Sequence, residues 1–89
     1  MSDFPKINLS KSDLARVREQ LLFYQGYRCA ICGVDSGSLN YDMCVDHCHH
    51  TGKIRGILCR ECNLGIGHFK DDPGILKAAL DYLENKDGF

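Results

Sequence analysis

Long apolar runs are missing from this chain of 89 residues. No segment approaches the roughly 18 consecutive apolar residues that a membrane span requires. The opening residues, MSDFPKINLSK, also lack the apolar stretch of a secretory signal peptide. We therefore expect a cytoplasmic protein that has reduced thiols and no membrane partner.

Internal repeats, low-complexity tracts and interdomain linkers are absent as well. So short a chain forms one domain, here residues 1–89, and its apolar core is thin. The six cysteines could supplement that core, either as disulfides in an oxidising compartment or as metal ligands in a reducing one. The expected cytoplasmic setting favours metal binding.

The chain also has little net charge, formally −1. Its charges are unevenly placed, because residues 46–70 carry more basic than acidic side chains and residues 71–89 carry more acidic ones. Affinity for phosphates depends on local charge, so the basic segment is compatible with DNA binding. A solvated surface of mixed charge explains the same pattern equally well.

A helix is predicted near each end of the chain. The first, about residues 10–25, can be capped by Ser10 or Ser12 and is ended by Gly26. The last, about residues 73–86, opens with Asp72 as cap and Pro73 at its first position. Its apolar residues form one stripe, which we expect to pack on the core, with a partner helix as the alternative. The stripe comprises Ile75, Leu76, Ala79, Leu80 and Leu83.

Between these helices we expect an α+β core at about residues 27–69. Residues 27–33 are typical of a tight knuckle and residues 34–41 of a loop. Two short strands, at about residues 44–48 and 53–58, should pair as an antiparallel hairpin around a turn at residues 50–52. A short helix that reaches about Phe69 follows.

Two like-spaced cysteine pairs, Cys29-x-x-Cys32 and Cys59-x-x-Cys62, are separated by residues 33–58. A two-residue gap lets one turn point both sulfurs at a single ion. Two such turns complete the tetrahedral thiolate shell of a structural zinc site. The sequence therefore predicts a structural Zn²⁺ that stabilises the small fold.

Cys44 and Cys48 remain outside this shell. Their position in a predicted strand indicates small buried or half-buried side chains. A zinc site in which one of them replaces a knuckle cysteine is the alternative arrangement. A thioredoxin-like redox pair ranks lowest, because no βαβ pattern surrounds either cysteine pair.

Residues 45–63, VDHCHHTGKIRGILCRECN, concentrate carboxylate, imidazole, thiol and amide groups. Preceded by CAIC and followed by LGIGHFKDD, this stretch resembles the recombination endonuclease VII family within the HNH nucleases, also called His-Me finger or ββα-metal nucleases. The resemblance spans roughly residues 24–84. It implies a small zinc-stapled ββα-metal domain with flanking N- and C-terminal helices. It also implies a phage-type DNA endonuclease that leaves 5′-phosphate and 3′-hydroxyl ends, on duplex or branched DNA.

The resemblance implies specific roles for the hairpin residues. Asp46 and Asn63 match ligands of a catalytic Mg²⁺ or Mn²⁺, and His47 matches the general base. His49 matches a further active-site histidine that contacts the phosphate or assists protonation. Many relatives have an acidic residue where this chain has Cys48, so any role for that acid is absent here. The four knuckle cysteines match the family's zinc ligands.

Elementary chemistry supports these roles. Hydrolysis of a phosphodiester needs an activated water and an offset for the charge of the transition state. A histidine imidazole, whose pKa is ordinarily about 6.5, can take the proton of water near neutral pH. A hard divalent cation held by one carboxylate and one amide keeps open positions for phosphate oxygens. Neighbouring strand residues point to opposite faces, so a bulge or distortion is expected between Asp46 and His47.

Lys53, Arg55 and Arg60 are candidates to contact flanking phosphates, with His50 as a further contact. The alternative for each is an ordinary exposed side chain. His68 is expected to be structural. The competing function is a non-catalytic zinc module that docks on nucleic acid or protein, and the sequence allows both a monomer and a homodimer.

Overall fold

A computed structural model describes residues 10–85 and shows a small α+β fold. Residues 1–9 and 86–89, which belong to the predicted domain, lie outside this range. The elements in chain order are α1 (Lys11–Tyr24), a 3₁₀ turn (Ser36–Ser38), β1 (Cys44–His47), β2 (Ile54–Leu58), α2 (Arg60–His68) and α3 (Pro73–Glu84). The predicted α+β class is confirmed. Among the described helices, none is long and apolar enough to cross a membrane.

The helix boundaries follow the predicted capping residues. Ser10 is the N-cap of α1, where its Oγ accepts a hydrogen bond from the Asp13 N–H at 3.2 Å. Asp72 caps α3 in the same way and accepts from the Gly74 N–H at 2.8 Å, with Pro73 at the first helical position. Gly26 follows α1 with φ of 67°, a left-handed conformation that favours glycine. Local sequence therefore decides where these helices begin and end.

The core lies between α1 and the hairpin. Val17, Leu21 and Leu22 form the buried face of α1 and belong to the same buried cluster as the apolar residues of β2. Leu21 and Ile57 are the largest fully buried side chains. Cys29 and Cys59 are buried in this cluster too, so both predicted zinc knuckles reach into the core.

The predicted packing of the α3 stripe on the core is wrong. No residue of α3 is buried, and Leu80 and Leu83 are 52% and 78% exposed. The core is already closed by α1, the hairpin and the first knuckle. Helical periodicity identifies an apolar face but not its partner, and the described residues leave this face largely exposed.

The Gln25 side chain forms hydrogen bonds with the backbone of β2, as a neighbouring strand would. Its Oε1 accepts the Ile57 N–H at 2.9 Å, and its Nε2 donates to the carbonyl oxygens of Ile57 and Arg28 at 3.0 and 2.9 Å. Among residues 10–85, β2 pairs with β1 alone, so the Gln25 amide serves the Ile57 N–H on the free edge of the strand. The Ile57 carbonyl on that edge also accepts from the Ala30 N–H at 3.1 Å. This one side chain ties the end of α1 to the strand that enters the second knuckle.

We expect Gln25→Ala to lower the free energy of unfolding by about 1–3 kcal/mol, because the buried Ile57 N–H loses its partner. Urea unfolding of the zinc-loaded protein, followed by circular dichroism, measures the change. Gln20→Ala is the matched control, since Gln20 is exposed on the same helix. Equal stability of the two variants would contradict this role for the amide.

Candidate active site and metal centre

Each predicted zinc knuckle is built by a local turn. In the first, the Cys29 N–H donates to the Val34 carbonyl at 3.0 Å, and the Gly33 N–H returns to the Cys29 carbonyl at 3.1 Å. Gly33 closes this turn with φ of 78°. In the second, Cys59 is the N-cap of α2 and its Sγ accepts the Cys62 N–H at 3.4 Å. The hydrogen bond from the Cys62 N–H favours the Cys59 thiolate, but burial and the neighbouring cysteines outweigh it and raise the pKa of Cys59.

The two knuckles bring their four sulfurs together. The Sγ atoms of Cys29, Cys32, Cys59 and Cys62 all lie within 4.8 Å of one another, and Cys32 and Cys59 are 3.7 Å apart. A tetrahedral zinc with bonds of about 2.3 Å separates its sulfurs by about 3.8 Å, so these donors fit such an ion. All six cysteines are free thiols, and Cys44 and Cys48 are half-buried outside the cluster. The four predicted ligands are therefore clustered closely enough to bind one metal ion, as a structural site such as zinc requires.

The thiols of the cluster differ in acidity. Burial opposes ionisation of Cys29, but hydrogen bonds from backbone N–H groups, including that of Ile31, outweigh it and lower the pKa of Cys29 to about 6. Burial and the neighbouring cysteines raise the pKa of Cys62. Ionisation of Cys29 is thus favoured, whereas ionisation of Cys62 is opposed until a cation offsets the negative charge of the cluster.

The hairpin is irregular between the two strand residues at which the sequence predicts a distortion. Asp46 pairs with Gly56 and His47 pairs with Ile54, so the register shifts between Asp46 and His47. Arg55 is the extra residue, which places the bulge on β2 rather than on β1. The expected distortion is therefore confirmed, and its origin is the strand opposite the two polar residues.

Asp46 is a buried carboxylate that is bound to Arg55. Its Oδ2 accepts from Nε at 2.8 Å and its Oδ1 from Nη2 at 3.1 Å. The same Nη2 also reaches Oδ1 of Asp71 at 3.0 Å. These contacts raise the pKa of Arg55, and the hydrogen bond from Arg55 lowers the pKa of Asp71. Two of the three guanidinium nitrogens of Arg55 thus face carboxylates, although the sequence predicts this residue as a phosphate contact.

The two histidines that follow Asp46 lie close together. The rings of His47 and His49 stack with centroids 5.4 Å apart and an angle of 10° between their planes. His47 is half-buried, whereas His49 and His50 are exposed at the hairpin turn. Between the stacked residues, a hydrogen bond with Thr51 lowers the pKa of the half-buried Cys48. The hairpin thus presents imidazole groups at an accessible edge.

Asn63 is placed by the second knuckle. It follows Cys62 directly, is half-buried, and its N–H donates to the Cys59 carbonyl at 3.0 Å in the first turn of α2. α2 contacts both strands of the hairpin. The cysteine cluster therefore fixes the helix that carries Asn63 beside β1, the strand that carries Asp46 and His47.

The remaining predicted contact residues are exposed. Lys53 lies directly before β2, and the Arg60 guanidinium stands 4.0 Å over the Tyr41 ring. The Tyr41 hydroxyl accepts the Arg60 N–H at 3.1 Å. His68 is exposed in the last turn of α2, so it is no part of the core.

Sequence reasoning missed Asp71 and Tyr41. Asp71 lies 16 residues from its partner Arg55, and Tyr41 lies 19 residues from Arg60. No local spacing signals such contacts. The acidic end of the LGIGHFKDD run is the one sequence signal near Asp71, and helix capping accounts for its Asp72.

The fold and the cysteine cluster define a small α+β protein with a candidate metal site, into which a hairpin with polar side chains leads. The family model for recombination endonuclease VII matches residues 6–85, and the chain belongs to that family. It is 40% identical over 67 residues to the Gene 59 protein of Mycobacterium phage L5, which covers 74% of this chain and 40% of that protein. It is also 44% identical over 61 residues to the Gene 59 protein of Mycobacterium phage D29, covering 67% of this chain and 36% of that protein. The chain thus matches about two fifths of the length of these relatives.

Proposed function

We propose that the protein is a metal-dependent DNA endonuclease of the HNH type, in a single domain that spans residues 1–89. The observation that carries this proposal is the joint placement of its polar groups. Asp46 and His47 flank the irregular step of the hairpin, and β2 runs into the knuckle whose helix carries Asn63. Family membership supplies the reaction class, because the matching model is that of a recombination endonuclease.

The proposed reaction is hydrolysis of a phosphodiester that leaves a 5′-phosphate and a 3′-hydroxyl. His47 is the general base, and its half-buried ring is accessible enough to meet a water molecule. A proton taken by its imidazole leaves a hydroxide equivalent to attack phosphorus. His49, stacked on His47, is placed to contact the phosphate or to assist protonation.

Asp46 and Asn63 are the proposed ligands of Mg²⁺ or Mn²⁺. A carboxylate and an amide offer the oxygen donors that these hard cations prefer, and so small a donor set suits a cation that binds phosphate as well. When bound, the cation would supply Lewis acidity at the scissile phosphate and stabilise the departing 3′ oxygen. The four cysteines would hold Zn²⁺ and serve the fold alone, since a closed thiolate shell has no open position.

Duplex or branched DNA is the proposed substrate. Lys53, Arg60 and His50 are exposed near the hairpin and can contact flanking phosphates. The name of the family, recombination endonuclease VII, favours branched DNA, and the phage relatives favour a nuclease that works in the cytoplasm of an infected cell. No side chain in the described residues is assigned to base recognition, so we expect the DNA structure to matter more than its sequence.

A cleavage assay on supercoiled, linear and four-way-junction DNA, with Mg²⁺ or Mn²⁺ added to the zinc-loaded protein, tests the proposal. We expect nicks that DNA ligase can seal directly, because ligase requires a 5′-phosphate beside a 3′-hydroxyl. Paired cuts in junctions, together with a dimeric mass in solution, would identify a junction-resolving enzyme. Absence of cleavage with every substrate and cation would instead favour a non-catalytic zinc module that docks on nucleic acid or protein.

A further inference from the structure

We infer that Arg55 and Asp71 are positioning residues that hold the Asp46 carboxylate ready for the catalytic cation, and that Arg55 is not a contact to DNA phosphate. The inference rests on the proposed function, because it concerns the same cation site. It replaces the role that sequence reasoning gives to Arg55.

The ion pair between Arg55 and Asp46 is bidentate. Nε and Nη2 donate to different oxygens of the carboxylate, and the side chain of Asp46 is only 11% exposed. Such a pair fixes the plane of the carboxylate, whereas a single hydrogen bond would let it rotate. Each carboxylate oxygen has a second lone pair, so the contact leaves Asp46 able to bind a cation.

Asp71 binds the guanidinium as well, through the Nη2 atom that also donates to Asp46. Its side chain is 14% exposed, and it accepts from Nη2 at 3.0 Å. The backbone that places it is unusual, since both Lys70 and Asp71 have positive φ, 59° and 57°. Non-glycine residues adopt this conformation at a cost, which surrounding contacts must offset. The turn between α2 and α3 is thus set so that a carboxylate meets Arg55.

The charges of this group fit a cation site better than a phosphate site. Two carboxylates surround one guanidinium, so the group keeps one net negative charge when the three residues are ionised. That charge attracts a divalent cation. It would repel a DNA phosphate that approached Arg55 beside Asp71. The bulge on β2 supplies the geometry, because Arg55 is the residue that it leaves unpaired opposite β1.

Two measurements on the zinc-loaded variants separate positioning of Asp46 from contact with DNA phosphate. They are the affinity for Mn²⁺ and the affinity for DNA. Loss of the free Mn²⁺ electron paramagnetic resonance signal measures the first without any cleavage. We expect Arg55→Gln to raise the Mn²⁺ concentration for half-saturation by about ten- to a hundredfold, the range typical of partners that orient metal ligands. We expect Asp71→Asn to raise it by about tenfold, the low end of that range. Asparagine tolerates positive φ, so this variant keeps the backbone.

DNA affinity provides the contrast. With Ca²⁺ in place of Mn²⁺, Lys53→Gln should weaken binding and reduce its salt dependence by about one counterion, and should leave Mn²⁺ binding unchanged. Arg55→Gln should instead weaken Mn²⁺ binding and leave DNA affinity and its salt dependence unchanged. Arg16→Gln and Asp81→Asn, exposed changes on α1 and α3, are controls for charge alone.

The results distinguish this inference from the proposed function. Unchanged Mn²⁺ binding in folded Asp71→Asn, or weaker DNA binding with unchanged Mn²⁺ binding in folded Arg55→Gln, would overturn the positioning role. If the wild type binds no Mn²⁺, the inference fails outright. If it binds Mn²⁺ through Arg55-dependent contacts but cleaves no DNA, the proposed nuclease fails while the positioning role stands. Zinc content and thermal melting of each variant show that the fold is intact.

Discussion

Removal of the metal from the four-cysteine site is expected to unfold the protein. Two of the four proposed ligands, Cys29 and Cys59, belong to the buried core, and Leu21 and Ile57 are its largest fully buried side chains. Structural zinc in small domains contributes about 10–16 kcal/mol of binding free energy. The net stability of a whole domain is about 5–15 kcal/mol, so the apolar core cannot compensate for the loss.

Cys29→Ser tests this expectation most directly. Metal analysis of the wild type should find a single zinc ion per chain, and the variant should show the circular dichroism of an unfolded chain. Chelation of the wild-type protein should have the same effect, reversed by added Zn²⁺. Cys44→Ser is the matched control, because Cys44 is a half-buried free thiol outside the cluster. A metal-free Cys29→Ser protein that stays folded would remove the metal from its structural role.

Replacement of His47 by alanine should lower the cleavage rate by about 10²–10⁴-fold, the usual contribution of a general base. The fold should survive, because the side chain is half-buried at the hairpin edge and belongs to no part of the core cluster. Initial rates of supercoil nicking at saturating Mg²⁺ measure the loss, and zinc content confirms the fold.

His68→Ala is the matched control for this experiment, since His68 is an exposed histidine in the last turn of α2. Its cleavage rate should equal that of the wild type. Undiminished cleavage by His47→Ala would exclude this imidazole as the base. An equal loss in both variants would point to a general effect of histidine removal rather than to catalysis.

Several features of the fold could be predicted because their causes are local. Ser10 and Asp72 cap helices through atoms within three residues, and a cysteine pair with a two-residue gap needs only one turn to point both sulfurs at an ion. The hairpin distortion could also be predicted, since an ideal strand separates the side chains of Asp46 and His47.

The rest depends on contacts between distant parts of the chain. Arg55 meets Asp71 across 16 residues, and Gln25 reaches Ile57 across 32. No periodicity in the sequence indicates either contact. Arg55 and Gln25 both look like ordinary polar surface residues. The apolar stripe of α3 shows the opposite error, because its pattern is strong and yet none of its residues is buried. Pattern reveals which side of an element is apolar, and tertiary structure alone reveals what covers it.

Cys59 has three roles at one position. It follows the last residue of β2, caps α2 and lies in the metal cluster. A designer who wished to transplant this hairpin into another scaffold could not cut the chain between strand and helix. Such a graft would have to carry both knuckles with it as one cassette, and its folding would then depend on the supply of metal in the new host.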